Sequence, residues 1–93
     1  MNAEFRKSFL KDLEHINDQP LKERIKDAIL RVEAAGSLQD IESIRKLRGG
    51  DRHYRIRVGS FRIGLIIEGN AAIFVRLPLT RNWRKLAWSR SPN

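Results

Sequence analysis

Tyr54-Arg55-Ile56-Arg57-Val58-Gly59-Ser60-Phe61-Arg62-Ile63 is the stretch on which the fold turns. Apolar and basic residues alternate on both sides of Gly59-Ser60, the period of a strand with one buried face. A glycine-led pair between two such runs marks a two-residue hairpin. The pattern predicts strands at 53–58 and 61–67 and, after a turn at Glu68-Gly69-Asn70, a third at 71–77. Alternation then sorts the side chains into two faces. Tyr54, Ile56, Val58, Phe61, Ile63, Leu65, Ile67, Ala71, Ile73, Val75 and Leu77 are expected on one apolar face. His53, Arg55, Arg57, Arg62, Phe74 and Arg76 are expected on the other.

The turns fix who faces whom. A two-residue loop at Gly59-Ser60 puts Arg57 across from Arg62, and a three-residue loop at 68–70 puts Arg62 across from Arg76. Both registers gather the apolar residues on one side, which favours them. A tighter Gly69-Asn70 turn would instead push Arg76 toward the core. Like charges directly opposite one another destabilise a sheet. Arg55, Arg57, Arg62 and Arg76 on one open face, with Arg81 just beyond the last strand, therefore call for an anion.

The first half reads as helical. Phe9, Leu10, Leu13 and Ile16 recur at three- and four-residue spacing, predicting a helix over 7–16, which a short strand at 2–5 can precede. Asn17-Asp18-Gln19-Pro20 is a loop whose proline suits the next helix's first turn. Leu21, Ile25, Ala28, Ile29 and Val32 mark a second, antiparallel helix, expected to stop near Ala35 with Gly36 as a left-handed cap. One or two further helical turns are expected between Ser37 and Ile44, then a loop at Leu47-Arg48-Gly49-Gly50. Residues 82–88 close the chain as a short helix or tail. The expected fold is α+β, two antiparallel helices on one face of a three- to four-stranded antiparallel sheet, in one domain over 1–93.

Composition narrows the partners. The 93 residues carry 19 basic and 11 acidic side chains, a net charge of +8, and no cysteine. The charge is unevenly spread. Residues 1–44 hold 7 basic and 9 acidic side chains, whereas residues 45–93 hold 12 basic, ten of them arginine, against only Asp51 and Glu68. Arginine forks onto phosphate, so this half is expected to meet a polyanion. The lack of cysteine leaves no disulfide or thiolate site and fits a reducing, cytoplasmic setting. No apolar run has membrane-spanning length, and no cluster has metal-ligand spacing, so neither membrane, metal nor cofactor is expected. His15 falls off its helix's apolar stripe and is expected in solvent.

These features resemble the RelE/ParE superfamily of toxin–antitoxin toxins over nearly the whole chain. The resemblance rests on two leading helices, on Lys46-Leu47-Arg48-Gly49, on the Tyr54–Ile63 hairpin and on Arg81 past the last strand. It implies a RelE-like, ribosome-dependent messenger-RNA endoribonuclease. Such a toxin enters the ribosomal A site and blocks translation, the RNA's own 2′-hydroxyl attacking the scissile phosphate. By position, Arg55 and Arg57 match the family's basic pair, Arg62 the arginine of the second strand and Arg81 the arginine after the last strand. Arg62 and Arg81 are the first choices for the scissile phosphate. Arg48, Arg52, Arg76, Trp83, Arg84 and Lys85 are the expected RNA-binding set.

Two departures matter. The family usually places lysine where Arg55 and Arg57 stand, and arginine cannot act as a base. Many active members also carry a tyrosine or histidine near the C-terminus, where this chain has Thr80-Arg81-Asn82-Trp83-Arg84-Lys85-Leu86-Ala87-Trp88. Trp83 or Trp88 can stack on a base or pack on the core edge. His53, on the arginine face, is the candidate substitute base, histidine being the side chain that ordinarily titrates near neutral pH; an exposed strand-end histidine is the plainer reading. The alternatives to a nuclease are a ParE-like inhibitor of DNA gyrase that cuts nothing and a degenerate member that only binds antitoxin. A small acidic antitoxin, partly disordered when free, is the partner the family implies.

Overall fold

A computed structural model describes residues 1–48 and 52–79. The elements follow as β1 (Asn2–Phe5), α1 (Lys7–Glu14), α2 (Gln19–Ala34), a short 3-10 turn (Leu38–Asp40), β2 (Ile44–Lys46), β3 (His53–Val58), β4 (Phe61–Glu68) and β5 (Ala71–Arg76). They build a five-stranded sheet in the order β1-β5-β4-β3-β2. β1 runs parallel to β5 and every other pairing is antiparallel. The α+β expectation holds, but the sheet is mixed and one to two strands wider than expected.

The helices form where the apolar spacing asks for them. Asp18 caps α2, its Oδ1 accepting from Leu21 N at 3.2 Å, with Pro20 in the first turn where its missing N–H costs nothing. Phe9 from α1 and Ile25 and Val32 from α2 are fully buried. They pack on Ile56 and Val58 of β3, Ile63 and Leu65 of β4, and Ala72 and Phe74 of β5. Phe9 lies 5.4 Å from Phe74, ring centre to ring centre, and Phe5 stacks on Phe74 at the same distance. Complete burial of each aliphatic or aromatic side chain contributes about 1.5–3 kcal/mol, so this layer holds the fold together.

Four expectations need correction. α2 stops at Ala34, next to the expected end, but Ala35 caps it in an extended conformation, and Gly36 is not among the left-handed residues, which among those described are Ser43, Gly59 and Gly69. Residues 44–46 form a strand. The short edge strand β2 was illegible because three residues show no alternation. The β4–β5 turn is the tight one: Glu68 faces Ala71 across Gly69-Asn70, with Gly69 at φ +56°. That register turns Ala72 and Phe74 toward the helices and Ile73 and Val75 away, the reverse of the expected assignment. A bulge next to Leu65 then sets Gly64, not Arg62, across from Arg76. Finally, Arg76 is tied to a carboxylate. Its guanidinium reaches Asp12 on α1, with Nη1 3.2 Å from Oδ1, and Asp12 also accepts from Leu77 N at 2.8 Å. The bulge restores Arg76 to the row of Arg55 and Gly64, and Asp12 supplies the charge that balances it there. The expected closing segment at 82–88 lies outside the described residues.

Candidate functional site

The face turned away from the helices carries the arginines. The Gly59-Ser60 hairpin sets Arg57 directly across from Arg62, as the sequence requires. Arg57 N donates to Ser43 O on the opposite side, so the Arg57–Arg62 pair is not hydrogen-bonded through the backbone. Pairs of that kind hold their Cα atoms about 4.5 Å apart, the closest cross-strand approach available. Arg55, two residues back, faces Gly64 of β4 on one side and Arg45 of β2 on the other. Gly64 brings no side chain to the place beside it. Arg45, Arg55, Arg57 and Arg62 thus converge across three adjacent strands.

The electrostatics register the crowding. Burial lowers the Arg55 guanidinium below its usual value, and the neighbouring charges of Arg62, Arg57 and Arg45 lower it further. Arg55 is half-buried while the other three are exposed. Ile66, 6% exposed, and Val75, 5% exposed, stand on this same face outside the main core, an apolar border that weakens the competition from water. Among the described residues no carboxylate lies within 4.0 Å of any of the four arginines; the recorded ion pairs belong to Arg31, Arg52 and Arg76. Among the described residues these four cations have no counter-charge within 4.0 Å, and a bound anion would relieve their crowding.

His53 joins this face. It is half-buried, sits across from Ile66 and lies two residues from Arg55. The other expected residues divide. Arg52 pairs with Glu68 at 3.4 Å on an exposed surface, and Arg48 is exposed just past β2. Arg76 is held by Asp12 as described. Arg81, Trp83, Arg84 and Lys85 lie outside the described residues. Arg45 was missed altogether, because its place beside Arg55 exists only once β2 is formed. The one available signal was Ile44, which pairs with Ile56 in β3 and fixes the alternation of that strand. Among the described residues no group of three or more His, Asp or Glu side chains is arranged to hold a metal ion.

Comparison with known proteins agrees with this architecture. A family model described as the ParE toxin of the type II toxin–antitoxin system parDE matches residues 3–81. Toxin RelE3 of Methanocaldococcus jannaschii is 40% identical over 78 residues, covering 83% of this chain and 88% of that protein. A crystal structure of a RelB–RelE antitoxin–toxin complex from Methanococcus jannaschii superposes with a TM-score of 0.70 at 38% identity, over 80% of this chain and 86% of that one. The YoeB dimer from Staphylococcus aureus shares the fold, with a TM-score of 0.69 at 18% identity over 84% and 94% of the two chains. By the family model, the sequence relative and the superposition together, the chain belongs to the RelE/ParE superfamily of type II toxin–antitoxin toxins.

Proposed function

We propose that this chain is a ribosome-dependent endoribonuclease that cuts messenger RNA in the A site and thereby stops translation. The observation that carries the reading is the set of four arginines, Arg45, Arg55, Arg57 and Arg62, gathered on one sheet face with no carboxylate within 4.0 Å among the described residues. In the proposed reaction the RNA's 2′-oxygen bonds to the adjacent phosphorus while the bond from phosphorus to the 5′-oxygen breaks. Negative charge grows on the non-bridging oxygens, and fixed guanidiniums in a partly dry setting stabilise it without reorganising. Arg62 and Arg57, exposed and paired, bind those oxygens, and Arg81 is proposed to join them. Arg55 raises the local potential from its half-buried position. His53 takes the proton from the 2′-hydroxyl, a role the permanently charged arginines cannot fill. The leaving 5′-oxygen takes a proton from solvent water, His53 later returns its proton to solvent, and the products are a cyclic phosphate and a 5′-hydroxyl end.

A second reading keeps the fold and drops the chemistry. The matching family model is described as the ParE toxin, and arginine stands where RelE-like enzymes usually have lysine. A gyrase-binding toxin needs neither a base nor an assembled phosphate site. Primer extension on messages from induced cells separates the two. Codon-spaced cuts within translated regions support the nuclease, and DNA breaks with intact messages support the gyrase inhibitor.

The partner proposed for either reading is a small acidic antitoxin. The Methanococcus jannaschii relative was solved as a complex with RelB. An acidic, partly disordered chain complements the +8 net charge here and folds on binding.

A further inference from the structure

The arginine face does not stop at the hairpin. On the helix side of the same corner, a cleft of about 280 Å³ runs between α2 and the strand edge near Gly59. Ala28, Ile56 and Val58 contribute apolar wall, and Arg24, Arg31 and Arg57 supply cations. Arg24 and Arg31 sit two turns apart on α2 and so share one stripe of the helix. Asp27 and Glu42 also line the cleft, but Arg31 holds both, at 3.1 and 3.8 Å. Among the described residues Arg24 and Arg57 have no carboxylate within 4.0 Å.

Arg24 is brought to the hairpin itself. Its Nη1 lies 3.4 Å from the place a side chain at Gly59 would begin. Gly59 leaves that place empty, and its φ of +59° is one that glycine adopts without strain. Arg57 is shared: it pairs with Arg62 on the open face and lines the cleft. The corner therefore brings Arg24 of α2 beside the turn of the hairpin that carries Arg57 and Arg62.

We propose that this cleft is a second phosphate site, and that Arg24 binds the backbone of single-stranded RNA next to, and not at, the phosphate that is cut. The inference rests on the sheet face being an RNA site. It adds a residue on α2 that the hairpin motif does not contain. A chain leaving the Arg57–Arg62 pair finds its next cation at Arg24, while the cleft's own acids are occupied by Arg31. Continuity with the arginine face favours RNA over the carboxylates of a protein partner. Contacts of this type set affinity and register on the strand and carry no base preference.

Fluorescence anisotropy with 2′-O-methylated oligoribonucleotides, which cannot be cleaved, tests this without any activity readout. The probes are a dinucleotide and an octanucleotide. Arg24→Ala is expected to weaken the octanucleotide several-fold and to lower the slope of log K against log salt by about 0.7, the loss of one phosphate contact on a single strand. Dinucleotide binding should be unchanged, Arg24→Lys should retain most of the octanucleotide affinity, and Arg62→Ala should weaken both probes. Arg24 is exposed, so its substitution leaves the fold intact, and equal melting curves check this. If Arg62→Ala weakens both probes and Arg24→Ala weakens neither, the second site is overturned while the first stands. If Arg62→Ala weakens neither probe, the sheet face is not an RNA site and the inference falls with it. If Arg24→Ala leaves the octanucleotide unchanged but weakens an acidic polypeptide, the cleft serves a protein and the proposal is again overturned.

Discussion

Removing Arg55 should make this protein more stable and less able to handle RNA. Burial depresses the protonation of Arg55 most, and Arg62, Arg57 and Arg45 around it depress it further. Paired strands hold their Cα atoms about 4.5–5.5 Å apart, and long flexible side chains on one face can spread their charged heads to roughly 7 Å. At that separation each like-charge pair costs about 0.6 kcal/mol in a water-like dielectric, and more where burial reduces the screening. Counterions at moderate salt offset part of the sum. Arg55→Gln, which keeps much of the stem and a polar head, is therefore expected to stabilise the fold by about 1 kcal/mol at low ionic strength. For a domain of this size that raises the melting temperature by about 4–8 °C. The gain should shrink in about 1 M salt, where the screening length falls to roughly 3 Å. It should also be flat across the neutral pH range. The folded state binds this proton less well than the unfolded one. The cost is complete below the lowered value and is relieved only as pH climbs through the strongly alkaline interval between the folded and unfolded values. Differential scanning calorimetry at low and high salt is the assay. Destabilisation at low salt, or a shift of equal size at both salts, would refute mutual repulsion as the property of this face.

Other perturbations test other parts of the structure. Phe9→Ala empties the centre of the aromatic group formed with Phe5 and Phe74 and is expected to cost about 3–5 kcal/mol by urea denaturation; a loss under about 1 kcal/mol would mean the helix layer is not seated as described. Asp12→Asn weakens the Arg76 ion pair and the acceptor for Leu77 N in a partly buried place, and about 1–2 kcal/mol should be lost in the same assay, with Arg76→Gln recovering part of it in the double variant. His53→Ala should slow message cleavage by about 10²–10⁴-fold while sparing RNA binding, and full cleavage by that variant removes His53 as the base.

Much of the fold lies open in residues 53–77, because a strand period of two and a glycine-led turn leave few registers that bury one face. The hairpin register, the apolar faces of β3 and β4 and the Arg57–Arg62 opposition all follow from it. Local pattern disfavours the tight β4–β5 turn, since without a bulge it would turn Arg76 inward; the bulge beside Leu65 removes that cost. Arg76 also finds Asp12, 64 positions earlier, and no local pattern announces a long-range partner of that kind. Arg45 was hidden for a similar reason. Three residues are too few to alternate, so β2 declares itself only by pairing with β3. Phe74 was read onto the arginine face by the same register choice, and its burial against Phe9 shows what that choice decides. The charge asymmetry between the two halves pointed to the half of the chain in which Arg55, Arg57 and Arg62 gather on one face, although Arg52 and Arg76 pair with Glu68 and Asp12.

The decisive measurement is single-turnover cleavage of a messenger on programmed ribosomes by the purified toxin and by Arg62→Ala. The wild type should cut in the A-site codon and leave a 2′,3′-cyclic phosphate, with the variant slower by about 10²-fold or more, the usual effect of removing one group that meets the developing charge. Equal rates for the two proteins, or an intact messenger with both, would contradict the assignment of the arginine face as an RNA-cutting centre.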